Sequence, residues 1–419
     1  MRMVSLLAFL LLALTAPALA QTRIFASGDA FADHKRFSGD STESKLLVNS
    51  NAGAIYAPPG YLLFVRDNQG PLASVMAQPF DAKNLQLSGE PTLILRDVTH
   101  NPQNGRLFIC VSDNGALVYK TRVNVNVQLT WVDRTGKRLG TIGNPDFILS
   151  PSLSPDEKRL AILRSDLSKG TDIWLIDVLR GTSSIFTFDP ALEGNPIWSP
   201  DGSRIVFSST RLGRSDLFWK SSNGAGNEEL LLKSENSKYV TDWSADGRFI
   251  LYHEGNPKTQ MDLWALPLFD DKKPIALAQS QFSEVQGRFS PDGHWIAYVS
   301  NELGDNQIYV RNFPPSVGKW MVSINGGTQP RWRSDGKEIF YFGPGNKLMA
   351  VPVKSDGNNF EVGTPSSLFE ANLAGLTPRS NGGYATTHDG KRFLINLPVE
   401  ESKQPPAIVI ENWTALLKK

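Results

Sequence analysis

The sequence contains almost no cysteine: Cys110 is the only one among 419 residues. An intrachain disulfide is therefore impossible. Histidine is also scarce. The five histidines are His34, His100, His253, His294 and His388. A metal centre needs three or four converging ligands, and these histidines are dispersed over a linker, loops and turns. We therefore predict neither a metal nor a cofactor.

The chain also lacks an excess of charge of either sign. It has 43 Lys and Arg against 42 Asp and Glu, and Arg2 is the one basic residue among the first 20. Nucleic-acid binding needs a basic surface that displaces counterions from phosphates, and no stretch of this chain is basic enough to suggest one. The charge balance therefore predicts that nucleic acid is not a partner.

Long hydrophobic runs are absent after residue 20. The single run, at 4–14, follows Arg2 and ends in Ala-Pro-Ala-Leu-Ala, which is typical of a signal peptide with a small-residue cleavage site. An uncleaved membrane anchor is the alternative, but the run is short for a bilayer span. No cysteine stands at the cleavage point to accept a lipid. We predict a signal peptide at 1–20, a linker at 21–44, no membrane span after cleavage, and a periplasmic or secreted protein.

A short motif recurs along the rest of the chain. PIWSPDGSRIVFSS at 196–209 has close copies in DWSADGRFILY, RFSPDGHWIAY and RWRSDGKEIFY, and weaker ones in SLSPDEKRLAI, CVSDNGALVYK, IYAPPGYLLFV and ATTHDGKRFLI. The last turn residues of the eight copies are Gly60, Gly115, Glu157, Gly202, Gly247, Gly293, Gly336 and Gly390. Five of the seven steps between them measure 42, 45, 45, 46 and 43 residues. This period is that of a four-stranded propeller blade.

Each repeat carries further apolar runs that complete a blade. A third strand such as TDIWLIDV or SDLFWKSS follows the hairpin, and a fourth such as SSIFTFD comes after it. The last repeat lacks its fourth strand, and KLLVNS at 45–50 has no partner of its own. We therefore predict an all-β fold: a propeller over 45–419 with eight four-stranded blades, closed by the N-terminal strand. Seven or six blades are the alternatives.

The residues of the turn have conformational roles that require no ligand. In Ser199-Pro200-Asp201-Gly202, Pro fixes its own φ, Asp suits the third position, Gly takes positive φ, and Ser bonds a backbone N–H. Asp201 is therefore predicted to shape a turn and not to act as a catalytic acid. Glu157 replaces Gly in one copy, so Glu157→Gly is predicted to stabilise. The aromatic before the turn, such as Trp198, is predicted to pack one blade onto the next.

The repeated W-S-P-D-G-x-x-I-x-F/Y, followed by D-I/L-W/Y, resembles the WD-like propeller repeats of TolB and of prolyl oligopeptidases. IYAPPGYLLFVRDNQGPLASVMAQPFDAKNLQLSGEPTLIL and the ending AIVIENWTALLKK resemble the C-terminal propeller of bacterial eukaryotic-like serine/threonine kinases. The resemblance covers about residues 45 to 419 and implies a sensor or interaction module. The chain lacks the kinase Gly-rich loop, His-Arg-Asp and Asp-Phe-Gly, and also the G-x-S-x-G elbow of hydrolases. Neither activity is therefore carried over.

Any ligand site is predicted where the chain enters the first strand of each repeat, on the face opposite the turns. The predicted ligand-binding residues at this channel mouth are Asn195, Asp242, Gln286, Arg288, Gln329 and Arg331. Loop residues Arg211, Arg214, Glu302 and Asp305 add to the rim. A hydrated rim without a ligand is the alternative. No catalytic residue is assigned.

These features favour a non-catalytic, monomeric propeller that binds a protein, peptide or glycan. One alternative is a polysaccharide lyase or glycoside hydrolase with its site at the channel mouth, because carboxylate spacing cannot be read from sequence. The other alternative is a TolB-like scaffold of the cell envelope.

Overall fold

The structure, a computed structural model, describes residues 47–48, 53–66, 72–101, 106–120, 126–166, 170–316, 318–356, 359–371, 373, 382–399 and 407–418. The predicted signal peptide at 1–20 and the linker at 21–44 lie outside these residues. The described chain is almost entirely β: its only helices are 3-10 turns at Pro344–Asn346 and Trp413–Lys418. None of the helices in these ranges has the length and apolar character needed to cross a membrane.

The first eight strands precede residue 121. They are β1 (Ile55–Ala57), β2 (Tyr61–Arg66), β3 (Leu72–Asp81), β4 (Gln86–Leu87), β5 (Thr92–Asn101), β6 (Arg106–Leu107), β7 (Ile109–Val111) and β8 (Leu117–Lys120). Strands β1 to β6 form one sheet in the order β1-β2-β3-β5-β6, with β4 paired to β3.

The next eighteen strands occupy the middle of the chain. They are β9 (Val127–Asp133), β10 (Arg138–Asp146), β11 (Ile148–Leu153), β12 (Arg159–Asp166), β13 (Gly170–Asp177), β14 (Ser183–Ile185), β15 (Glu193–Trp198), β16 (Arg204–Ser209), β17 (Asp216–Ser221), β18 (Glu229–Leu232), β19 (Lys238–Trp243), β20 (Phe249–Asn256), β21 (Gln260–Pro267), β22 (Ile275–Ala278), β23 (Glu284–Phe289), β24 (Trp295–Leu303), β25 (Asp305–Asn312) and β26 (Lys319–Met321).

The last eight strands are β27 (Thr328–Trp332), β28 (Glu338–Gly343), β29 (Lys347–Ser355), β30 (Phe360–Val362), β31 (Ser366–Glu370), β32 (Tyr384–Thr386), β33 (Arg392–Pro398) and β34 (Ala407–Ile410).

Six antiparallel sheets, numbered here 1 to 6, make up residues 127–398. Sheets 1 to 5 are β11–β14, β15–β18, β19–β22, β23–β26 and β27–β31. Sheet 6 has the order β10-β9-β33-β32 and so joins the two ends of this region. We call residues 127–398 the ring, because six hydrophobic clusters join sheet 1 to sheet 2 and so on around to sheets 6 and 1. Sheets packed face to face in this way are the architecture of a β-propeller.

Burial on both faces explains the strand sequences. In β16, RIVFSS, every residue after Arg204 is buried, because one face packs on sheet 1 and the other on sheet 3. Such strands show near-continuous apolar runs and little polar alternation. At roughly 25 cal/mol per Å² of buried apolar surface, these interfaces dominate the stability of the ring.

The closure of the ring differs from the predicted one. Strand β33 pairs with β9 along its whole length, from Arg392 opposite Asp133 to Pro398 opposite Val127. The prediction that residues 45–50 close the C-terminal sheet is therefore wrong. Strand β9 matches the seven residues of β33, and its Leu129 fills the cluster against sheet 1. Leu47 and Val48, by contrast, pack with the first sheet of the chain.

A second set of elements has a core of its own. Its two hydrophobic clusters draw only on residues 47–119 and 410–417. Strand β34 pairs with β8, and β8 with β7, so the C-terminal segment completes a three-stranded sheet begun before residue 121. Trp413, fully buried, packs edge-to-face on Tyr61 at 5.4 Å. We call β1–β8, β34 and the helix Trp413–Lys418 the second β unit.

Candidate functional site

The hairpin turns of the repeated motif lie where each first strand ends. Ser199 Oγ donates to Asp201 Oδ1 at 2.5 Å, and the backbone N–H of Ser203 donates to the same oxygen at 3.0 Å. The backbone N–H of Arg204 donates to Ser199 Oγ at 2.9 Å. These donors, led by Ser199, lower the pKa of Asp201 to about 2. The prediction that Asp201 shapes a turn is confirmed.

Consecutive turns also hold neighbouring sheets together. Trp198, just before its turn, donates from Nε1 to the carbonyl of Ser152 in the preceding sheet at 2.9 Å. Trp332 donates in the same way to the carbonyl of Arg288 at 3.2 Å. The prediction that these aromatics pack one sheet on the next is confirmed for both tryptophans. The turn end of the ring is thus occupied by structural contacts.

Before these turns, the first strands of sheets 1 to 5 each carry a bulge. The register with the second strand shifts at Leu149/Ser152, Gly194/Ile197, Val240/Asp242, Val285/Arg288 and Thr328/Arg331. A bulge adds one residue and redirects side chains. In four of the five strands the extra residue has positive φ. These residues are Ser150, Asn195, Gln286 and Gln329, with φ of 50°, 50°, 57° and 60°.

These bulge residues are buried polar side chains that bond to the next sheet. The backbone N–H of Gln329 donates to Gln286 Oε1 at 2.8 Å, and that of Gly383 donates to Gln329 Oε1 at 3.0 Å. Ser150 Oγ lies 3.4 Å from Asn195 Oδ1. Positive φ costs a non-glycine residue about 1–2 kcal/mol. Hydrogen bonds between sheets offset this cost, since buried amides must be satisfied.

Two positions before the first residue of its hairpin turn, each first strand of the six sheets places one equivalent side chain, near the turn end of the strand and not at its entry as predicted. The six residues are Ser152, Ile197, Asp242, Arg288, Arg331 and Ala385. Sheets 3, 4 and 5 therefore carry charges at this level, whereas sheets 6, 1 and 2 carry small or apolar side chains. At this level, one half of the ring is charged and the other half is small or apolar.

The charged side chains contact one another. Asp242 Oδ1 lies 3.4 Å from Arg288 Nη1, and its Oδ2 accepts the backbone N–H of Phe289 at 2.8 Å. The Arg331 guanidinium lies over the ring of Tyr384 at 5.3 Å, and the Tyr384 hydroxyl donates to the carbonyl of Gln329 at 2.9 Å. We call Asp242, Gln286, Arg288, Gln329, Arg331 and Tyr384 the inner polar cluster.

Burial governs the electrostatics of this cluster. It raises the pKa of Asp242, although the charge of Arg288 opposes the shift. It also lowers the pKa of Arg288. For Arg331, burial together with the neighbouring Arg288 charge lowers the pKa to about 9. Charges held in this way are fixed in position, and a polar group that binds beside them interacts with them strongly.

The structure brings together five of the six predicted ligand-binding residues. The sixth residue, Asn195, lies in sheet 2, where its Oδ1 is 3.4 Å from Ser150 Oγ of sheet 1. Tyr384 belongs to the cluster but was not predicted. The signal for it was weak, because β32 has only three residues and follows a long insertion. A register count back from Thr387 gives Ala385, the neighbour of Tyr384, as the equivalent residue.

Three of the five histidines lie in the ring. His253 is fully buried and stacks on Tyr239 at 5.3 Å, while His294 and His388 lie in hairpin turns. Within the described ranges, no three His, Cys, Asp or Glu side chains come close enough together to hold a metal ion.

Comparison with known proteins identifies the repeat. Residues 112–265 match the family model described as the TolB beta propeller domain. The uncharacterized protein Atu1656 of Agrobacterium fabrum is 28% identical over 278 residues, which cover 64% of this chain and 91% of that protein. The Tol-Pal system protein TolB of Wolinella succinogenes is 25% identical over 171 residues, covering 40% of each chain.

A solved structure supports the same fold. A protein from Agrobacterium tumefaciens with a provisional TolB assignment superposes with a TM-score of 0.53 and 18% identity, over 66% of this chain and all of the other. The likeness concerns the fold alone. This chain spans less than half of the length of TolB, and another curated match covers 29% of the relative. These findings support a TolB-like propeller, and the finer resemblance to kinase-associated propellers stays a prediction.

Proposed function

We propose that this chain is a non-enzymatic interaction module of the bacterial envelope that binds a protein or peptide segment at the inner polar cluster of the first strands. The inner polar cluster is the observation that carries the proposal. Its charged and amide side chains lie on four consecutive sheets of a packed ring, so they are held rigidly. Fixed polar groups beside apolar positions suit the recognition of a peptide, which offers both kinds of group.

The architecture proposed with this function is a six-bladed propeller formed by the ring and closed by β9. This proposal assigns the propeller to residues 127–398 and not to all of the predicted range 45–419, because the second β unit has a separate core. Six of the eight sequence repeats supply the hairpins of sheets 1 to 6. The other two, at Gly60 and Gly115, lie in the second β unit.

The envelope location rests on two supports of different kind. The N-terminal 20 residues have the pattern of a signal peptide. The relative from Wolinella succinogenes is named as part of the Tol-Pal system. We infer a periplasmic or secreted protein from these together, and fractionation of cells that express the full chain tests this location.

The glycoside-cleaving alternative is less well supported. Cleavage by the usual mechanisms needs two carboxylates that flank the bond. The six equivalent inner positions supply one carboxylate, Asp242, and it is engaged with Arg288 and with the backbone of Phe289. We therefore propose binding, and not hydrolysis, at the inner polar cluster.

Selection of random linear peptides displayed on phage tests the proposal. Peptides enriched on the wild-type protein are synthesised, and their affinity is measured by fluorescence anisotropy. We expect Arg331→Gln and Asp242→Asn each to weaken binding about tenfold or more, because buried charged contacts dominate such interfaces.

Lys391→Gln serves as the matched control. Lys391 is a highly exposed cation at the hairpin turn of sheet 6 and is not part of the inner polar cluster, so its loss should leave affinity unchanged. Circular dichroism confirms that each variant folds. Peptides that bind equally well to all three variants would place the site elsewhere on the molecule and contradict the proposal.

A further inference from the structure

Arg211, in the loop between β16 and β17, is held by carboxylates from three different segments. Its Nη2 lies 2.8 Å from Glu193 Oε1, and its Nη1 lies 2.5 Å from Glu228 Oε2. Its Nε lies 3.8 Å from Asp189 Oδ2. Glu193 begins β15, Glu228 precedes β18, and Asp189 lies in the connector 186–192 between sheets 1 and 2. One guanidinium therefore ties this connector and two strand ends together.

Acidic groups outnumber basic ones around Arg211. Lys220 of β17 adds a second cation, 3.4 Å from Glu228 Oε1, and donates to the carbonyl of Phe186 at 3.0 Å. Asp172 of β13 adds a fourth carboxylate: burial raises its pKa, and the charges of Glu228 and Asp189 raise it further. Four carboxylates thus face two cations among the described residues, which favours the uptake of protons.

Glu193 is the group best placed to take up a proton. Its side chain is fully buried, and Oε1 accepts hydrogen bonds from Ser209 and Arg211. Its Oε2 is buried and accepts no hydrogen bond from the described residues. Burial is the largest cause that raises the pKa of Glu193 to about 7, against the opposing attraction of Arg211. An ionised carboxylate at this position is costly, and a proton on it removes that cost.

The connector is attached to the Arg211 loop by a short set of hydrogen bonds. Thr210 N donates to the carbonyl of Leu192 at 3.1 Å, and Leu192 N donates to Thr210 Oγ1 at 3.0 Å. Phe188, in the same connector, is 69% exposed, and Leu212 in the loop is 46% exposed. Movement of the connector would therefore change the apolar surface at the end of the ring where the first strands begin.

We propose that Asp189, Glu193, Arg211 and Glu228 form a proton-operated latch: Glu193 takes one proton from solvent to close the connector 186–192 against the 210–214 loop and releases it to open. The direction of this pH dependence follows from the linkage between proton binding and closing. In the closed form Glu193 binds its proton up to about neutral pH, whereas an exposed glutamate releases it near pH 4.5. Between these values the closed form holds one proton more, so rising pH favours opening. This inference goes beyond the proposed function and does not depend on it.

Hydrogen exchange measured by mass spectrometry on the full chain tests the latch. After correction for the intrinsic pH dependence of amide exchange, segments 186–192 and 210–214 should exchange several-fold faster at pH 8 than at pH 6. Glu193→Gln should remove this difference and keep both segments slow at both pH values, because a neutral amide mimics the protonated state. Glu228→Gln should shift the midpoint to lower pH, because it removes a negative charge beside Glu193.

Glu284→Gln is the matched control. Glu284 begins β23 in the register of Glu193 and opposes Ser300 as Glu193 opposes Ser209, but it bonds to Ser280 and no arginine. This variant should retain the pH dependence of segments 186–192 and 210–214. Equal exchange at pH 6 and pH 8 in the wild type would overturn the proposal. A pH dependence that survives Glu193→Gln would overturn it equally.

Discussion

At the scale of single residues, Glu157 shows how a departure from the repeat is accommodated. It takes the glycine place in its turn with φ of 57°, close to the 65° to 75° of its glycine counterparts in the ring. Its Oε1 accepts the backbone N–H of His388 from the turn of sheet 6 at 2.6 Å, and Arg392 Nη2 lies 3.8 Å from its Oε2. The strained residue therefore links sheet 1 to sheet 6, where the ring closes.

Two substitutions of Glu157 separate strain from this link. Glu157→Ala loses the bond to His388 and keeps the positive φ, so it should lower the free energy of unfolding by about 1–2 kcal/mol. Glu157→Gly loses the same bond but relieves the strain, and it should be more stable than the alanine variant by about 1 kcal/mol. It should therefore be no more stable than the wild type, which revises the stabilisation expected from the sequence alone. Urea unfolding of the three proteins measures both differences. An alanine variant as stable as the glycine variant would show that the backbone of this turn is unstrained.

Glu157 shows which features of a single residue can be predicted from the sequence and which cannot. The positive φ at Glu157 could be predicted, because seven related turns fix the backbone expected there. The contact with His388 could not, because it joins residues 231 positions apart. It depends on which sheet lies next to sheet 1, and that is set by the pairing of β33 with β9.

At the scale of strands, the repeat predicted the hairpins and the four-stranded sheets. It did not predict that the last repeat pairs its strand β33 with β9. Strands β9 and β10 lie between the second and third copies of the motif and carry no copy themselves, so the repeat pattern did not reveal them. The repeat also made the charged residues of the inner polar cluster predictable. Asp242, Arg288 and Arg331 stand at one fixed offset before the turn, whereas that offset in sheet 6 is held by Ala385 and Tyr384 lies one residue earlier.

The pairing of β33 with β9 makes a prediction about Thr130. Thr130 lies in the middle of β9, opposite Ile395 on one side and Thr141 on the other. Proline there removes a backbone donor from a strand with neighbours on both sides, where proline is rarely found. Thr130→Pro should therefore unfold the ring at markedly lower temperature, whereas Thr130→Val should change it little. Differential scanning calorimetry measures both. A ring that melts unchanged in the proline variant would argue that sheet 6 is closed by another strand.

At the scale of the whole molecule, the chain leaves and re-enters the second β unit. Strands β1 to β8 belong to the second β unit. The chain then forms the ring at 127–398 and returns to the second β unit as β34 and the helix Trp413–Lys418. Each set of sheets has its own hydrophobic clusters, and the two sets share no residue. Since apolar burial is the main source of stability, two separate cores should behave as two cooperative units.

Trp413→Ala tests this division. Trp413 is fully buried among residues of the second β unit, including Leu117 and Tyr61, so its removal should cost that unit about 3–5 kcal/mol. No ring residue belongs to this cluster, so the ring should keep its melting temperature. Calorimetry of the variant should therefore show one transition shifted down and one unchanged. A fragment of residues 126–399 should reproduce the unchanged transition by itself. A single transition that shifts as a whole would mean that the two cores unfold together, and that the ring depends on the C-terminal segment that completes the other unit.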